Sequence, residues 1–427
     1  MYIYDPKTKR LAENEKQIKT RAVFSGGHMK MHGVLYEPQT LTEKSRIGVV
    51  MLHSDEDYSD FPIAAALAVR GYRCLAGQVS VPGGTLEQKL LDVKTAIEIL
   101  KQLPGVEKIV LLGHSGGATL MTAYQAAAEK GTSLWAHSEL LYPLHLSEEL
   151  IPADALMLLD SNFGNGAMTL FSVDPAVIEE GNGQKLDPVL DIFNPRNGYD
   201  PQCPSYSEGF LRQFFAAQRE RNNAVIRRAL DRLALIGQGK GNYADDEPFL
   251  VTGAAQMMVA NKLIPQDTRL LSHTKKAYTL LHADGTVTYE IIHCRRLSRG
   301  GKPVTPQLHF SVMSTVRAYL SNRAVLAGAG YSIRADGVAD VLWDDTYTCP
   351  PGNVKHISAP LLILGMTGSY EYLAAEEIYC SAGSLDKTIA FVDGAGHNFH
   401  AGGREMEFGH TETLVYDTCD RWLGEHV

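Results

Sequence analysis

The chain has 427 residues, 44% of them hydrophobic and 21% charged, which is a globular composition with enough apolar material for a large buried core. Its formal net charge is -9, with no basic run and no interleaving of aromatic and basic residues, which argues against a nucleic-acid partner. No apolar stretch reaches the roughly 18 to 20 residues that span a bilayer, which argues against a membrane partner.

Predicted strands and helices alternate through the first part of the chain. Residues 17–37 predict a strand pair that turns at Gly26-Gly27. Short apolar runs typical of buried parallel strands follow, at 47–52, 72–77, 108–113 and 155–159. Helical spacing separates these runs, at 61–70, 86–103 and 116–130. Such alternation indicates βαβ units and a mostly parallel sheet.

The alternation stops after Asp160 and resumes with predicted strands at 360–364 and 388–392 and a closing helix at 411–423. The segment between has a different pattern, with predicted elements that comprise a long helix at 208–235, a hairpin of strands 277–282 and 287–292, and a helix at 310–328. The hairpin turns at Asp284-Gly285, a strong two-residue turn signal. We therefore predict a discontinuous core domain, 1–160 plus 355–427, with a lid domain inserted at 161–354.

The run Gly113-His114-Ser115-Gly116-Gly117 matches G-x-S-x-G between a predicted strand and a predicted helix. A serine on such a sharp turn adopts a strained backbone conformation, for which the flanking glycines leave room. The helix N-terminus then places unpaired N–H groups and a positive dipole end beneath the hydroxyl. A serine that merely caps the helix is the alternative, and the strand-to-helix context favours a nucleophile.

A serine hydroxyl needs a base to become a nucleophile, and His397 is the best candidate. It lies in the small-residue run Gly394-Ala395-Gly396-His397, directly after the last predicted strand. A histidine on this loop can reach across the carboxyl edge of the sheet. His400 lies beyond the turn and is the less suitable candidate.

These features resemble the α/β-hydrolase superfamily. The resemblance rests on G-H-S-G-G at 113–117, G-A-G-H-x-F at 394–399, the apolar strand that ends in His53, and their order in the chain. It covers residues 20–160 and 355–427. It implies an α/β fold with a mostly parallel central sheet flanked by helices, Ser115 as nucleophile and His397 as general base. It assigns no substrate, because this fold hosts many chemistries.

The acid of the implied triad is open between two carboxylates. In this superfamily the acid usually lies three residues after the glycine that ends the penultimate strand, here Gly365, but that position holds Gly368. Glu371 is the nearest carboxylate downstream. Asp160, at the end of the strand 155–159, occupies the other known station. Each also has a structural alternative, since Asp160 can turn the chain and Glu371 can begin a solvated helix.

The resemblance implies an oxyanion hole built from the backbone N–H of Gly116 and a second N–H from the loop after strand 47–52. That loop begins His53-Ser54-Asp55, without the glycine that the superfamily usually has there. Ser54 or Asp55 is therefore the predicted second donor. We expect the acidic residues of this loop to form a solvated surface.

The inserted segment offers few distinct signals for a pocket. Phe210, Phe214 and Phe215 lie on its long helix, where we expect them to form lid core. Met257-Met258 and Trp343 are candidate pocket residues. A cluster of three arginines is expected to face solvent, namely Arg295, Arg296 and Arg299.

Nothing in the sequence predicts a cofactor. The six cysteines show no C-x-x-C spacing, and there is neither a zinc-ligand pattern nor a phosphate-binding glycine loop, so we expect no metal and no organic cofactor. The start of the chain lacks a signal-peptide pattern, and reduced cysteines fit a cytoplasmic protein. The expected partner is a small-molecule substrate, and a homodimer through an exposed lid face stays open.

The predicted reaction is hydrolysis of a carboxylic ester of a medium-sized, largely apolar molecule through an acyl-enzyme on Ser115. Two alternatives remain. A C–C bond hydrolase or an acyltransferase would use the same serine and histidine and would differ in its products. A non-catalytic small-molecule-binding protein with the same fold would bind its ligand and tolerate Ser115→Ala.

Overall fold

The computed structural model describes residues 17–25, 31–137, 140–255, 263–297 and 311–427. Within these ranges the chain forms sixteen strands and eleven α-helices. The strands are β1 (Ile18–Phe24), β2 (His32–Pro38), β3 (Ile47–His53), β4 (Arg73–Gln78), β5 (Lys108–Ser115), β6 (Ala155–Ser161), β7 (Val177–Glu179), β8 (Asn182–Leu186), β9 (Pro248–Val251), β10 (His273–Leu281), β11 (Val287–His293), β12 (Val312–Thr315), β13 (Ala327–Arg334), β14 (Gly337–Val341), β15 (Leu361–Met366) and β16 (Lys387–Val392).

The α-helices alternate with the strands of the central sheet and also occur in the segment 161–354. They are α1 (Pro62–Val69), α2 (Leu86–Lys101), α3 (Gly117–Lys130), α4 (Asn165–Ser172), α5 (Glu208–Gly237), α6 (Leu263–Gln266), α7 (Val316–Arg323), α8 (Pro350–Asn353), α9 (Ala374–Ser381), α10 (Glu405–Phe408) and α11 (Thr411–His426). None of the helices in the described ranges combines the length and apolar character that crossing a bilayer requires.

A ten-stranded sheet forms the centre of the described part of the molecule. Its strand order is β1-β2-β4-β3-β5-β6-β15-β16-β10-β11. In this order, all neighbouring strands from β4 through β3, β5, β6, β15 and β16 to β10 pair in parallel. At the two edges, β1, β2 and β11 pair antiparallel. Because parallel strands share a direction, the carboxyl ends of β3, β5, β6, β15 and β16 meet at one edge of the sheet, where loop residues can converge.

The parallel strands are near-continuous apolar runs because both faces of the sheet are covered. Val50 and Leu52 face a core that includes side chains of α2 and α3. Val49 and Met51, the alternate residues of the same strand, face a second core with α1 and α11. The predicted strands of the core are therefore confirmed, as is the α/β class. The predicted turn at Gly26-Gly27 lies outside the described residues.

The predicted hairpin is present, but it lies in the central sheet rather than in a lid. β10 runs parallel to β16, with Leu280 opposite Phe391 and Leu281 opposite Val392, and β11 forms the sheet edge. The alternation of apolar and polar residues and the Asp-Gly turn predict a hairpin from local sequence. They do not predict which sheet it joins, because the neighbouring strand β16 is distant in the chain. An inserted lid at 161–354 stays a prediction, and its boundaries have to leave this hairpin in the core.

The predicted helix at 310–328 is wrong at both ends. Only α7 is helical, since Val312–Thr315 pairs with β9 and Ala327 begins β13. The Thr315 side chain accepts the backbone N–H of Ala318 at 3.3 Å and caps the helix. The spacing of apolar residues did not indicate where the helix begins, because the strand before it is stabilised by β9, which is remote in sequence.

Candidate active site

Ser115 occupies the turn between β5 and α3. Its φ is +54°, a left-handed conformation that residues with a side chain rarely adopt. The turn needs a glycine at 113, where an added Cβ would lie 2.8 Å from the Cα of Ala118 in α3. It needs another at 116, where an added Cβ would lie 2.9 Å from His53 Nε2. The structure thus contains the predicted strand–turn–helix with a strained serine.

His397 lies on the loop after β16 and contacts the carboxylate of Asp160. Its Nδ1 is 2.7 Å from Asp160 Oδ2, and the Asp160 side chain is completely buried. The other carboxylate oxygen accepts the backbone N–H of Met366 at 3.1 Å, which holds the acid between β6 and β15. A carboxylate bound at Nδ1 leaves Nε2, on the far edge of the ring, to exchange a proton with a serine.

Glu371 flanks the same edge of the His397 ring at a longer distance. Its Oε2 is 3.8 Å from His397 Nδ1, beyond hydrogen-bond range. The side chain is 7% exposed, and within the described ranges Oε2 has no hydrogen-bond partner. The structure therefore brings both predicted acids to His397, with Asp160 in hydrogen-bond contact and Glu371 outside it.

His114 positions the histidine loop and was not singled out from sequence. Its Nε2 lies 2.7 Å from the carbonyl oxygen of His397, and its Nδ1 lies 2.6 Å from the Tyr58 hydroxyl. A carbonyl only accepts, so Nε2 donates, and the tyrosine hydroxyl then donates to Nδ1. Burial, with the nearby His397, holds the pKa of His114 well below its usual range, so the ring is neutral. The sequence signal that could have identified His114 is its position directly before the serine in the G-x-S-x-G motif.

The loop after β3 does not direct the amide of Asp55 into the cavity. The backbone N–H groups of Asp55 and Glu56 both donate to His53 Nδ1, at 3.1 and 2.9 Å. Ser54 is fully buried, and its hydroxyl donates to Asp55 and accepts from Asn165. Of the two predicted second oxyanion donors, Asp55 thus has its amide directed to an imidazole, and the role of Ser54 stays a prediction.

The carboxylate of Asp55 belongs to an ion network rather than to a solvated surface. Its Oδ1 accepts from Arg323 at 3.2 Å and from Lys89 at 3.4 Å, and the Lys89 side chain is fully buried. Burial disfavours the charged carboxylate, but Lys89 and Arg323 outweigh it and hold the pKa of Asp55 well below its usual range. The expected solvated acidic loop is therefore wrong at Asp55, because two cations reach it from α2 and α7.

Ser115 and His397 line one cavity of about 930 Å³. Its wall combines residues of the predicted core with residues of the segment 161–354. Apolar groups from that segment include Met168, Val312 and Met313. Four arginines also line the cavity, namely Arg295, Arg296, Arg323 and Arg404.

The two described arginines of the expected solvent-facing cluster also bind protein groups, and the Arg295 side chain keeps 40% of its surface exposed. Arg295 donates to Asp393 at 2.9 Å, and Arg296 donates to backbone carbonyls that include that of Ile264 at 3.2 Å. Arg299 lies outside the described residues. The cluster looked solvated from sequence because the groups that bind it are remote in the chain.

The aromatic and methionine candidates divide as follows. Phe210, Phe214 and Phe215 are buried in the hydrophobic cluster that includes the central sheet, and none of them lines the cavity. Trp343 does not line this cavity. It stacks on Phe163, with ring centroids 6.4 Å apart, and lines a separate cavity of about 350 Å³. Trp343 is thus a pocket residue, but of this second cavity and not of the one that Ser115 lines. Met257-Met258 lies outside the described residues.

The described residues contain no group of three or more His, Cys, Asp and Glu side chains placed to hold a metal ion. The groups gathered at the cavity are a serine, a histidine with a bound carboxylate, and backbone N–H groups at the start of α3. These are the components of nucleophilic acyl transfer.

The strand order, the strained serine after β5 and the histidine after β16 define an α/β-hydrolase fold. No family model and no curated protein matches the sequence. Similar solved structures include a hypothetical protein from Pseudomonas aeruginosa, with 14% identity, coverage of 96% of this chain and 94% of the other, and a TM-score of 0.45.

Two further solved structures are similar at the same level. Est1E from Butyrivibrio proteoclasticus has 12% identity, coverage of 95% of this chain and 98% of the other, and a TM-score of 0.42. A monoacylglycerol lipase from Paleococcus ferrophilus has 11% identity, coverage of 96% and 100%, and a TM-score of 0.38. Identities and TM-scores this low assign neither a substrate nor a reaction to this chain.

Proposed function

We propose that the protein is a serine hydrolase that cleaves a carboxylic ester through an acyl-enzyme on Ser115. The observation that supports this most directly is the hydrogen bond of 2.7 Å between His397 Nδ1 and the buried Asp160. It orients the ring of a histidine that lines the same cavity as the strained Ser115. A serine turn with only a structural role would require neither His397 nor Asp160 at the cavity.

In the proposed reaction His397 Nε2 takes the proton of Ser115 as the hydroxyl oxygen attacks the ester carbonyl. The tetrahedral oxyanion accepts a hydrogen bond from the N–H of Gly116 at the start of α3. The protonated His397 then passes the proton to the departing alcohol. Water hydrolyses the acyl-enzyme by the same route, and Asp160 stabilises the imidazolium in both steps.

The cavity supports a substrate of medium size. Its volume, about 930 Å³, lies near the upper end of the roughly 300 to 1000 Å³ of small-molecule sites. The lining from Met168, Val312 and Met313 suits an apolar acyl or alcohol group. The arginines of the wall favour an ester that also carries a polar group. This is a narrower class of substrate than the largely apolar ester predicted from sequence.

The proposal is tested by intact mass after treatment with a fluorophosphonate, which phosphonylates activated serines. We expect one adduct on the wild type, none on Ser115→Ala and much slower formation on His397→Ala. Ser133→Ala, at an exposed serine outside the cavity lining, is the matched control and should label like the wild type. An unlabelled, folded wild type, or a labelled Ser115→Ala, would refute an activated Ser115.

A further inference from the structure

The imidazole of His53 has one defined tautomer. Its Nδ1 accepts two backbone N–H groups, from Asp55 and Glu56, and therefore carries no proton. The ring proton of the neutral form is then on Nε2. The ring is also held in orientation by stacking on Tyr58, with centroids 4.9 Å apart and planes 17° apart.

The Nε2 edge of His53 lies at the nucleophile turn. A Cβ added to Gly116 would be 2.9 Å from Nε2, so the donor lies directly beside the residue whose backbone N–H begins α3. His53, Ser115 and Gly116 all line the cavity. Among the described residues, Nε2 has no hydrogen-bond partner, so its N–H is available to a molecule in the cavity.

The ring stays neutral over the physiological pH range. Burial is the main cause and lowers the pKa of His53 to about 4, with Lys89, His397 and Arg323 acting in the same direction and Asp55 against it. A neutral imidazole donates one hydrogen bond and is a poor proton donor at neutral pH. It suits the stabilisation of an oxyanion that has to remain unprotonated.

An oxyanion hole with one donor is incomplete, and the amide of Asp55, one of the two predicted second donors of the loop, is engaged. Asp55 and Glu56 direct their N–H groups at Nδ1 of the same ring. Two backbone N–H groups of the loop thus orient the imidazole, and the opposite edge of the ring has an N–H donor of its own at Nε2. The hydrogen-bond donor that faces the cavity is then the Nε2–H of His53 and not the amide of Asp55.

We propose that the Nε2–H of His53 is the second donor of the oxyanion hole, opposite the backbone N–H of Gly116. This inference rests on the proposed serine-hydrolase function. As Ser115 Oγ bonds to the carbonyl carbon, the C=O π pair moves to oxygen, and Nε2–H donates a hydrogen bond to that oxygen. The proton stays on His53 throughout, and the electron pair returns when the leaving group departs.

Two substitutions separate the two edges of the ring. His53→Asn places an amide oxygen near the position of Nδ1, which still accepts the loop amides, but removes the Nε2–H donor. His53→Gln places an amide N–H near the position of Nε2 and removes the Nδ1 acceptor. The assays are kcat and KM for p-nitrophenyl butyrate and the rate of phosphonylation by a fluorophosphonate, whose phosphoryl oxygen occupies the oxyanion position.

We expect His53→Asn to lower kcat and the phosphonylation rate by about 100- to 1000-fold with little change in KM, as for other lost oxyanion donors. His53→Gln should retain more activity than His53→Asn. The loss in His53→Asn should also be smaller for the thiono analogue of the ester, because sulfur is a weak acceptor. A purely structural role for His53 would slow both esters alike.

Wild-type rates in a folded His53→Asn, or less activity in His53→Gln than in His53→Asn, would overturn the role of His53 and leave the proposed function standing. An unreactive wild type would overturn both. If His53→Asn does not fold, NMR of the 15N-histidine-labelled wild type decides. The Nε2–H resonance of His53 should move downfield on phosphonylation of Ser115, and an unmoved resonance would refute the hydrogen bond.

Discussion

His397 has two carboxylates on one edge of its ring, and the distances distinguish their roles. Asp160 lies within hydrogen-bond distance and Glu371 does not, at 2.7 and 3.8 Å from Nδ1. A bonded acid selects the tautomer with the proton on Nδ1 and stabilises the imidazolium, whereas a carboxylate outside bonding range contributes only its charge. The orientation of the ring therefore depends on Asp160.

We predict that Asp160→Asn lowers kcat/KM by about 10⁴-fold, as expected when the acid that orients a catalytic histidine is neutralised. Glu371→Gln should cost less than about tenfold, because no hydrogen bond to His397 is lost. Steady-state kinetics on an ester and phosphonylation rates check both variants. A greater loss in Glu371→Gln than in Asp160→Asn would reverse the assignment of the triad acid.

The buried histidines make the stability of the fold depend on pH. Burial lowers the pKa of His53 to about 4, whereas in the unfolded chain the imidazole has its ordinary pKa of about 6.5. Between these values the unfolded state binds the extra proton, so the free energy of unfolding falls as the pH falls. The lowered pKa of His114 acts in the same direction.

We predict that His53 accounts for a loss of roughly 3 kcal/mol in the free energy of unfolding as the pH falls from 7 to 4. Urea unfolding at pH 7, 6, 5 and 4 measures this dependence. His53→Asn removes the titrating group and should flatten the curve over that range by a similar amount. Parallel curves for the variant and the wild type would contradict a buried neutral His53.

At the scale of elements, the serine turn depends on how closely α3 packs on β5. A Cβ at position 113 would approach the Cα of Ala118 to 2.8 Å and its nitrogen to 3.0 Å. Both neighbours are backbone atoms, which cannot move aside by a rotamer change. The first glycine of the motif is thus required by packing and not by its own φ.

We therefore predict that Gly113→Ala destabilises the protein by about 1 to 3 kcal/mol, the usual cost of overpacking, and also slows labelling of Ser115 by displacing the turn. Gly424→Ala in α11 is the matched control, since an added Cβ there meets no atom within 4 Å. Denaturant unfolding and phosphonylation rates measure the two effects. Equal stability of the two variants would show that the strand and helix can separate at no cost.

At the scale of the molecule, residues 161–354 share one hydrophobic cluster with the rest of the described chain. Leu158 of the central sheet belongs to the same cluster as Phe214 of α5 and Tyr319 of α7. β10 adds backbone pairing with β16, and Arg323 reaches the core loop at Asp55. Burial shared in this way couples the unfolding of the two parts.

We predict a single cooperative transition in differential scanning calorimetry, with equal calorimetric and van't Hoff enthalpies. Phe214→Ala, within the shared cluster, should lower the midpoint of that one transition rather than split it. Two resolved transitions, or a midpoint shift confined to one of them, would show an inserted segment that folds on its own.

Local sequence was enough to predict the core strands, the helices that separate the first of them, the serine turn at Ser115 and the histidine loop at His397. These features depend on neighbours in the chain, namely apolar runs, glycines at the turn and the spacing of helical faces. The tertiary structure alone decided which acid contacts His397, why His53 is held in one tautomer, that His114 supports the histidine loop, and that the hairpin joins the central sheet. Each of these depends on atoms brought together from remote positions, and local pattern carries no information on which remote partner a strand or a polar group meets.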